Sequence, residues 1–235
     1  GRFPHVQGGF SEQIILRDDQ IIPVPQSTPL DKLSCAEPLS VGLHAVNQCG
    51  PLMGKKVIIT GSGPIGLLTA ASALYAGATE VVATDVAELP LKVALEKIGV
   101  TKTINIAAEP DALAQYTLNG GYFDVAFEAS GIESALQSLF GIVKKGGKVV
   151  QLGMHKPGLI AIPVNVLQSK EIELIGAFRA NNEFALAVDL IVNNKIDVSP
   201  IMSGCFELEQ AVTAFESAGD RSRNIKLHVQ LSSSD

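Results

Sequence analysis

The sequence predicts an α/β fold in which helices cover both faces of a doubly wound parallel sheet of six strands. From Lys55 onward, short β-rich apolar runs alternate with longer helical stretches, which is the pattern of a parallel sheet buried on both faces. A glycine-rich turn, residues 61–66, joins the first apolar run to the first of these helices. The alternating region has roughly the size of one domain.

The elements follow one another in regular order. The predicted strands are residues 56–60, 80–84, 101–106, 122–127, 147–152 and 171–176. The predicted helices between them are residues 65–76, 91–98, 111–118, 132–143 and 164–169.

The two flanks of this unit have a different pattern. Residues 1–35 contain four prolines and one β-like run, residues 10–16. Two amphipathic helices, 182–193 and 208–218, and a final strand, 225–231, follow the unit. Neither flank is long enough to bury a core by itself, so we predict that they are two ends of one further domain. The predicted division is 1–40, 41–180 and 181–235.

Composition excludes several classes of function. Of the 235 residues, 46% are hydrophobic and 18% are charged, which is typical of a folded protein. The chain has 18 Lys and Arg but 24 Asp and Glu, so it lacks the excess of positive charge that is typical of nucleic-acid-binding proteins. No apolar stretch reaches the ~20 residues of a membrane span, and no signal-type segment opens the chain. Three widely spaced cysteines favour reduced thiols and a cytoplasmic location.

The turn Gly61-Ser-Gly63-Pro-Ile-Gly66 predicts a dinucleotide-binding Rossmann unit. It follows a predicted strand and opens a helix, and Asp85 ends the next strand 19 residues after Gly66. We expect Gly61 to permit the tight turn, Gly63 to admit a pyrophosphate, and Gly66 to let helix and strand pack closely. The helix start offers unpaired N–H groups to the phosphates.

Asp85 predicts the form of the cofactor. Its carboxylate can accept hydrogen bonds from both hydroxyls of an adenosine ribose. Val86 and Ala87 follow it and offer no cation for a 2′-phosphate, so the sequence favours NAD over NADP. Two other nucleotide-binding classes fit less well: methyltransferases usually lack the third glycine, and no Tyr here precedes a Lys at the short-chain dehydrogenase spacing.

Three further segments follow later strands of the predicted sheet. They are Ser130-Gly131, residues 152–154 and residues 177–179. Dinucleotides bind outside the carboxyl ends of parallel strands, so we expect these segments to line the same site.

Several segments together carry a family resemblance: residues 3–10, 37–44, 61–66, 122–131 and 176–179 and Ala218-Gly-Asp220. With them the chain resembles the zinc-dependent medium-chain dehydrogenases, and within that family most closely the sorbitol and L-idonate 5-dehydrogenase branches. It extends over essentially all 235 residues and corresponds to the C-terminal two-thirds of a family chain. It implies that both flanks belong to a β-rich, GroES-like catalytic domain.

The resemblance also implies roles for individual residues. Glu37 would lie beside the zinc, Val41 against the nicotinamide, and Lys226 near the pyrophosphate, whereas Arg179 would also reach the substrate. Residues 171–176 would join the subunits of a homo-oligomer. The other cofactor contacts implied are Ile65, Asp85, Leu152, Gly153, Met154, Ala177, Phe178 and Arg179, beside the glycine loop and Ser130.

The zinc site is expected to be incomplete in this sequence. Family members hold catalytic zinc through a Cys and a His-Glu pair in an N-terminal domain, and this chain shows no C-x-x-C or H-E-x-x-H spacing. Glu37 is the one implied zinc neighbour. We therefore expect the parent polypeptide to oxidise a secondary alcohol of a sugar acid or polyol with NAD, and residues 1–235 alone to be inactive.

Two alternatives stay open. One is a zinc-free quinone reductase of the same superfamily, which would use NADPH. The other is a non-catalytic NAD-binding module. Asp85 and the Glu37-Pro38 segment disfavour the first, and Arg179 and the flanks disfavour the second.

Overall fold

A computed structural model describes residues 8–231 and confirms the six-stranded parallel sheet. Its strand order is β3-β2-β1-β4-β5-β6, so the order reverses between β1 and β4. The strands are β1 Lys56–Thr60, β2 Glu80–Asp85, β3 Lys102–Asn105, β4 Phe123–Glu128, β5 Val143–Gln151 and β6 Glu173–Gly176. Part of the resembling segment 3–10 lies outside the described residues.

Helices connect the strands and cover both faces of the sheet. They are α1 Leu30–Leu33, α2 Ala36–Gln48, α3 Pro64–Tyr75, α4 Glu88–Val93, α5 Glu133–Ile142, α6 Val164–Lys170, α7 Glu183–Val192 and α8 Ala211–Ala218. One π-helical turn, Ala94–Ile98, continues α4, and short 3₁₀ segments occur at Asp18–Gln20, Ala114–Gly120, Ser199–Ile201 and Leu208–Gln210.

Alternating residues of β1 divide the core into two layers. Val57 and Ile59 pack into the layer that contains α2, α3 and α7. Ile58 packs into the opposite layer, with α5 and residues that precede β4. All three side chains are buried, as expected for a central strand covered on both faces.

Helix α2 lies directly against α3. A Cβ at Gly42 would be 2.9 Å from the backbone nitrogen of Thr69, so the absent side chain permits this close contact. The contact holds α2 in the core layer that α3 and α7 share with one face of the sheet.

Two sequence-based predictions of local structure are wrong. Residues 111–118 do not form an α-helix, since a 3₁₀ segment occupies Ala114–Gly120 and Asn119 and Gly120 have positive φ. Residues 10–16 form no strand: no described segment pairs with them, and Ile15 is almost fully exposed. A strand without a partner leaves its backbone groups unpaired.

The C-terminal flank forms a second, two-stranded parallel sheet. It consists of β7 Met202–Glu207, which the sequence reading missed, and β8 Lys226–Gln230. Helix α7 packs into a core layer of the large sheet, and Met202 at the start of β7 packs against the same layer. The division at residues 40 and 180 stays a prediction.

The three cysteines are free thiols, with Cys35 and Cys49 buried and Cys205 exposed. Within residues 8–231, no helix is both long enough and apolar enough to cross a membrane.

Candidate functional site

The glycine loop has the shape that its sequence predicts. Gly61 has a φ of +87°, and a Cβ there would lie 2.8 Å from the backbone nitrogen of Ser130. A Cβ at Gly66 would overlap the carbonyl oxygen of Gly61. These two glycines are therefore required for the turn itself.

Gly63 differs from them because the space beside it is open. A Cβ there would meet a single group within 4 Å, the guanidinium of Arg221 at 3.9 Å. Gly63 is the N-cap of α3, and Pro64 occupies its first turn. The first N–H groups of a helix lack intrahelical partners and carry the positive end of its dipole. This open space is thus suited to an anionic group such as a pyrophosphate.

Asp85, at the end of β2, holds the glycine loop in place through hydrogen bonds. Its Oδ2 accepts a hydrogen bond from the Ser62 backbone N–H at 2.7 Å, and its Oδ1 accepts from Val86 at 2.7 Å and Ala87 at 3.0 Å. Arg221 Nη2 donates to Oδ2 at 2.9 Å. The side chain of Asp85 is 3% exposed. Asp85 therefore holds the loop in shape, and it also holds Arg221, the group nearest to the open space beside Gly63.

Arg221 is a site residue that sequence reasoning missed. It lies between α8 and β8, 136 residues from Asp85. No motif marks it in the sequence, where it is one of two arginines in a polar turn. The residues that follow Asp85 in the sequence include no cation, but the fold places the guanidinium of Arg221 beside it.

Glu128 organises the loops after β4 and β5. This fully buried carboxylate accepts hydrogen bonds from the Ser130 N–H at 2.8 Å, the Gly131 N–H at 3.1 Å, the Ser130 hydroxyl and the Gln151 amide at 2.7 Å. A Cβ at Gly153 would overlap the Gly131 nitrogen, so these loops touch closely. The structure thus brings together the predicted Ser130 and Gly153 at the carboxyl edge, through a glutamate that the sequence reading did not place in the site.

The ends of β5 and β6 present side chains toward solvent. Leu152 is half-buried and Met154 is exposed, whereas Ala177 is buried and its N–H donates to the Gln151 carbonyl at 2.9 Å. Phe178 and Arg179 are exposed.

Arg179 has an unusual backbone conformation. Its φ is +56°, and its guanidinium lies 5.2 Å from the centre of the Phe178 ring. A positive φ in a residue with a long side chain requires support from the surrounding structure. The conformation gives this segment a sharp bend at the carboxyl edge.

Val41 and Ile65 are half-buried, on α2 and in the first turn of α3. Their predicted contacts with a cofactor stay predictions.

Lys226 lies on β8, near Cys35 and His228. Burial raises the pKa of Cys35 and lowers that of His228, and the positive charge of Lys226 lowers both. Sγ of Cys35 is 3.8 Å from Nε2 of His228. The structure gives Lys226 no hydrogen bond or ion pair with the glycine loop among residues 8–231, and its predicted pyrophosphate contact stays a prediction.

Glu37 is exposed in the first turn of α2. Over residues 8–231, no group of three or more His, Cys, Asp or Glu side chains is placed to hold a metal ion. The described residues therefore do not form a zinc site, and Glu37 supplies at most one ligand toward one.

Comparison with known proteins agrees with this geometry. The family model for zinc-binding dehydrogenases matches residues 64–193. The chain is 34% identical over 227 residues to L-idonate 5-dehydrogenase (NAD(P)(+)) of Escherichia coli strain K12, covering 97% of this chain and 65% of the relative. It is 33% identical to sorbitol dehydrogenase 1 of Saccharomyces cerevisiae, covering 91% and 61%.

Solved structures show the same relationship. The crystal structure of L-idonate 5-dehydrogenase from Escherichia coli K-12 aligns with a TM-score of 0.91 at 33% identity, covering 97% of this chain and 65% of that chain. A putative zinc-binding dehydrogenase from Sinorhizobium meliloti, bound to NADP, aligns with a TM-score of 0.88 at 28% identity, covering 96% and 66%. The chain thus spans slightly less than two thirds of the length of these relatives.

Proposed function

The chain belongs to the zinc-binding dehydrogenase family, and we propose that it is the nicotinamide-dinucleotide-binding part of an oxidoreductase acting on a secondary alcohol of a polyol or sugar acid. The observation that carries the cofactor assignment is the open space beside Gly63, between the first turn of α3 and Asp85. The substrate class follows from the relatives, whose names are those of L-idonate and sorbitol dehydrogenases.

NAD is the proposed cofactor. Its pyrophosphate would lie against Gly63 and the N–H groups of α3, and its adenosine ribose would lie at Asp85. Hydrogen bonds to a charged partner contribute about 1.5–3 kcal/mol each, so the ribose hydroxyls gain most at a carboxylate. Asp85 is 3% exposed and already accepts four hydrogen bonds, so the ribose hydroxyls would take the position that Arg221 occupies on Oδ2.

The nicotinamide would extend toward the ends of β5 and β6. Residues 152–154 and 177–179 line that edge, and we propose that their backbone groups and the half-buried Val41 orient the ring. The exposed guanidinium of Arg179 is the proposed substrate contact, since arginine binds carboxylates such as that of a sugar acid through paired hydrogen bonds. Lys226 is proposed as a further cation toward the pyrophosphate.

The family name implies zinc, but residues 8–231 do not supply the three protein ligands that a catalytic zinc needs. We assign no step of alcohol activation to these residues. Their proposed work is to bind and orient the dinucleotide so that its reactive carbon faces the substrate.

We propose that subunits associate through the outer edge of β6. Residues 171–176 end the large sheet, and Leu174 is 40% exposed there. An unpaired strand edge carries free N–H and C=O groups that can pair with a second copy.

Calorimetric titration of residues 1–235 with NADH tests the proposal. We expect one site per chain, and we expect Gly63→Val to abolish binding because its side chain would fill the space for the pyrophosphate. Gly9→Val is the control, since Gly9 is exposed and a Cβ there has no neighbour within 4 Å. Equal NADH affinities for the wild type and Gly63→Val would contradict the proposed site.

A second assay separates a binding module from a complete enzyme. We expect residues 1–235, supplied with zinc, NAD and either L-idonate or sorbitol, to form no NADH, since no described cluster holds the metal. Turnover at the rate of a complete relative would show that the chain itself carries the whole reaction.

A further inference from the structure

Arg221 reaches across the molecule to the mouth of the glycine loop. Its Nη2 donates to Oδ2 of Asp85 at 2.9 Å, and it is the group nearest to a Cβ built at Gly63. Its side chain is 55% exposed, whereas that of Asp85 is 3% exposed. The guanidinium therefore forms the solvent-facing wall of this part of the site.

The carboxylate of Asp85 has no spare acceptor position in this arrangement. Two oxygens offer about four lone-pair positions, and four donors occupy them: three backbone N–H groups and Arg221. The three backbone donors are fixed by the turns that hold them. Arg221 is on a flexible, half-exposed side chain, so it is the donor that a ligand can move.

The guanidinium retains unused donors. Arginine has five N–H groups in a planar fork, and within the described part of the chain the Arg221 guanidinium has Asp85 as its one hydrogen-bonding partner. The Arg221 side chain is 55% exposed, so its remaining N–H groups are open to a ligand that approaches Asp85. Planar arginine binds phosphate through two parallel hydrogen bonds, which a single remaining edge of the fork can supply.

We propose that Arg221 forms a binding site for the ribose 2′-phosphate of NADP, so that the chain binds NADP as well as NAD. This inference rests on the proposed function, because it assumes that the dinucleotide lies with its ribose at Asp85. Without Arg221, a 2′-phosphate would face an uncompensated buried carboxylate. With it, the cation neutralises Asp85 on one side and holds the phosphate on the other.

Arg221 has the opposite effect on the affinity for NAD. The ribose hydroxyls of NAD reach Oδ2 of Asp85 only when Arg221 moves aside. Removing Arg221 therefore opens the acceptor to NAD and exposes NADP to like-charge repulsion. The ratio of the two affinities, rather than either affinity alone, is the quantity that this arrangement controls.

The test compares Arg221→Ala and Arg221→Lys with the control Arg223→Ala. Arg223 lies in the same turn, its side chain is 84% exposed, and it pairs with Asp220 rather than Asp85. Dissociation constants for NADPH, NADH, 2′-AMP and 5′-AMP are measured by calorimetry. The last two probes carry the phosphate at different positions and so separate the 2′ site from the pyrophosphate site.

We expect Arg221→Ala to weaken the binding of NADPH and 2′-AMP by about ten- to a hundredfold, which corresponds to the loss of a charge-assisted hydrogen bond. In the same variant, the affinities for NADH and 5′-AMP should fall by less than about threefold or should rise. Arg221→Lys should retain part of the affinity for NADPH, because its ammonium group is still a point charge. Arg223→Ala should change the affinity for neither cofactor. Thermal unfolding of each variant shows whether the fold is intact.

Several outcomes would overturn the inference. Equal weakening of NADPH and NADH in Arg221→Ala would make Arg221 a general cofactor contact, and no change in either would leave it a structural ion pair. A wild type that binds NADH but not NADPH would refute the 2′-phosphate site alone. A wild type that binds neither dinucleotide would refute the proposed function as well.

Discussion

Nδ1 of His44 lies 3.2 Å from Oε1 of Glu183, and this contact joins helix α2 to the first turn of helix α7. The Asn47 amide donates to the same oxygen at 3.1 Å, and the Asn181 N–H donates to Oε2 at 2.8 Å. Burial by itself would raise the pKa of Glu183, but these hydrogen bonds outweigh it and lower the pKa to about 2. The charged carboxylate thereby stabilises the contact between two helices of the same core layer.

Glu183 should make stability fall in acid. Because the pKa of its folded state is below the ordinary value of 4.5, its stabilisation is complete above pH 4.5 and is lost as the pH falls toward 2. Glu183→Gln should lower the free energy of unfolding by about 1–3 kcal/mol at neutral pH, with a difference that shrinks in acid. Urea unfolding from neutral pH to pH 3 measures this. The control Glu96→Gln removes an exposed carboxylate and should have little effect; a Glu183→Gln deficit constant over this range would contradict the assignment.

Substitutions at two of the loop glycines should separate the effect on folding from the effect on cofactor binding. Gly66→Ala should destabilise the protein by several kcal/mol, since the added Cβ overlaps the Gly61 carbonyl oxygen. Gly63→Val should leave the midpoint of thermal unfolding nearly unchanged and abolish NADH binding. Calorimetric scans and titrations on both variants check this. Similar losses of stability in both would show that the space beside Gly63 is filled in the folded protein.

Glu128 should be needed for the order of the loops after β4 and β5. Glu128→Gln keeps the size of the side chain but replaces one oxygen by an amide donor, and the Gly131 N–H contacts both oxygens, so the amide faces a donor in either orientation. We expect a loss of about 2–4 kcal/mol in the free energy of unfolding and weaker NADH binding. Chemical denaturation and titration measure the two effects. Unchanged values for both would mean that neutral Gln satisfies the same partners.

The β6 edge should control oligomeric state. Leu174→Lys places a charge on the proposed interface, so we expect a smaller sedimenting species than in the wild type. Leu118→Lys, a change at an exposed leucine remote from this strand in the sequence, is the control. Analytical ultracentrifugation at several concentrations compares the three proteins. Identical species in Leu174→Lys and the wild type would remove β6 as the interface.

The sequence was most informative where local chemistry decides structure. The strand–loop–helix unit around Gly61 and the position of Asp85 were predicted to within a residue, because glycine spacing and strand periodicity are local signals. Strand β7 was missed because its two central residues, Gly204 and Cys205, do not give an alternating pattern. The predicted helix at 111–118 was wrong: residues 110–113 form turns, a 3₁₀ segment begins at Ala114, and Leu118 already has an extended backbone with a ψ of 148°.

Long-range pairs were beyond a reading of the sequence. The contact of Arg221 with Asp85 and that of Glu183 with His44 join residues more than a hundred positions apart. Arg221 and Glu183 have no distinctive sequence context. Only the folded topology shows that a cation from the C-terminal flank reaches the end of β2, and this contact is the basis of the proposed 2′-phosphate site.

The hydrogen bonds of Asp85 also limit how this protein could be engineered. A redesign that replaces Asp85 to alter cofactor preference removes the acceptor of the Ser62 N–H, which is buried and would be left unpaired at a cost of about 1–3 kcal/mol. The loop would lose its rigid, preformed shape, and ordering it would then reduce the affinity for either cofactor. A change at the half-exposed Arg221 leaves the loop intact, so laboratory evolution toward a single cofactor should begin in the C-terminal turn rather than at the strand that carries the acid.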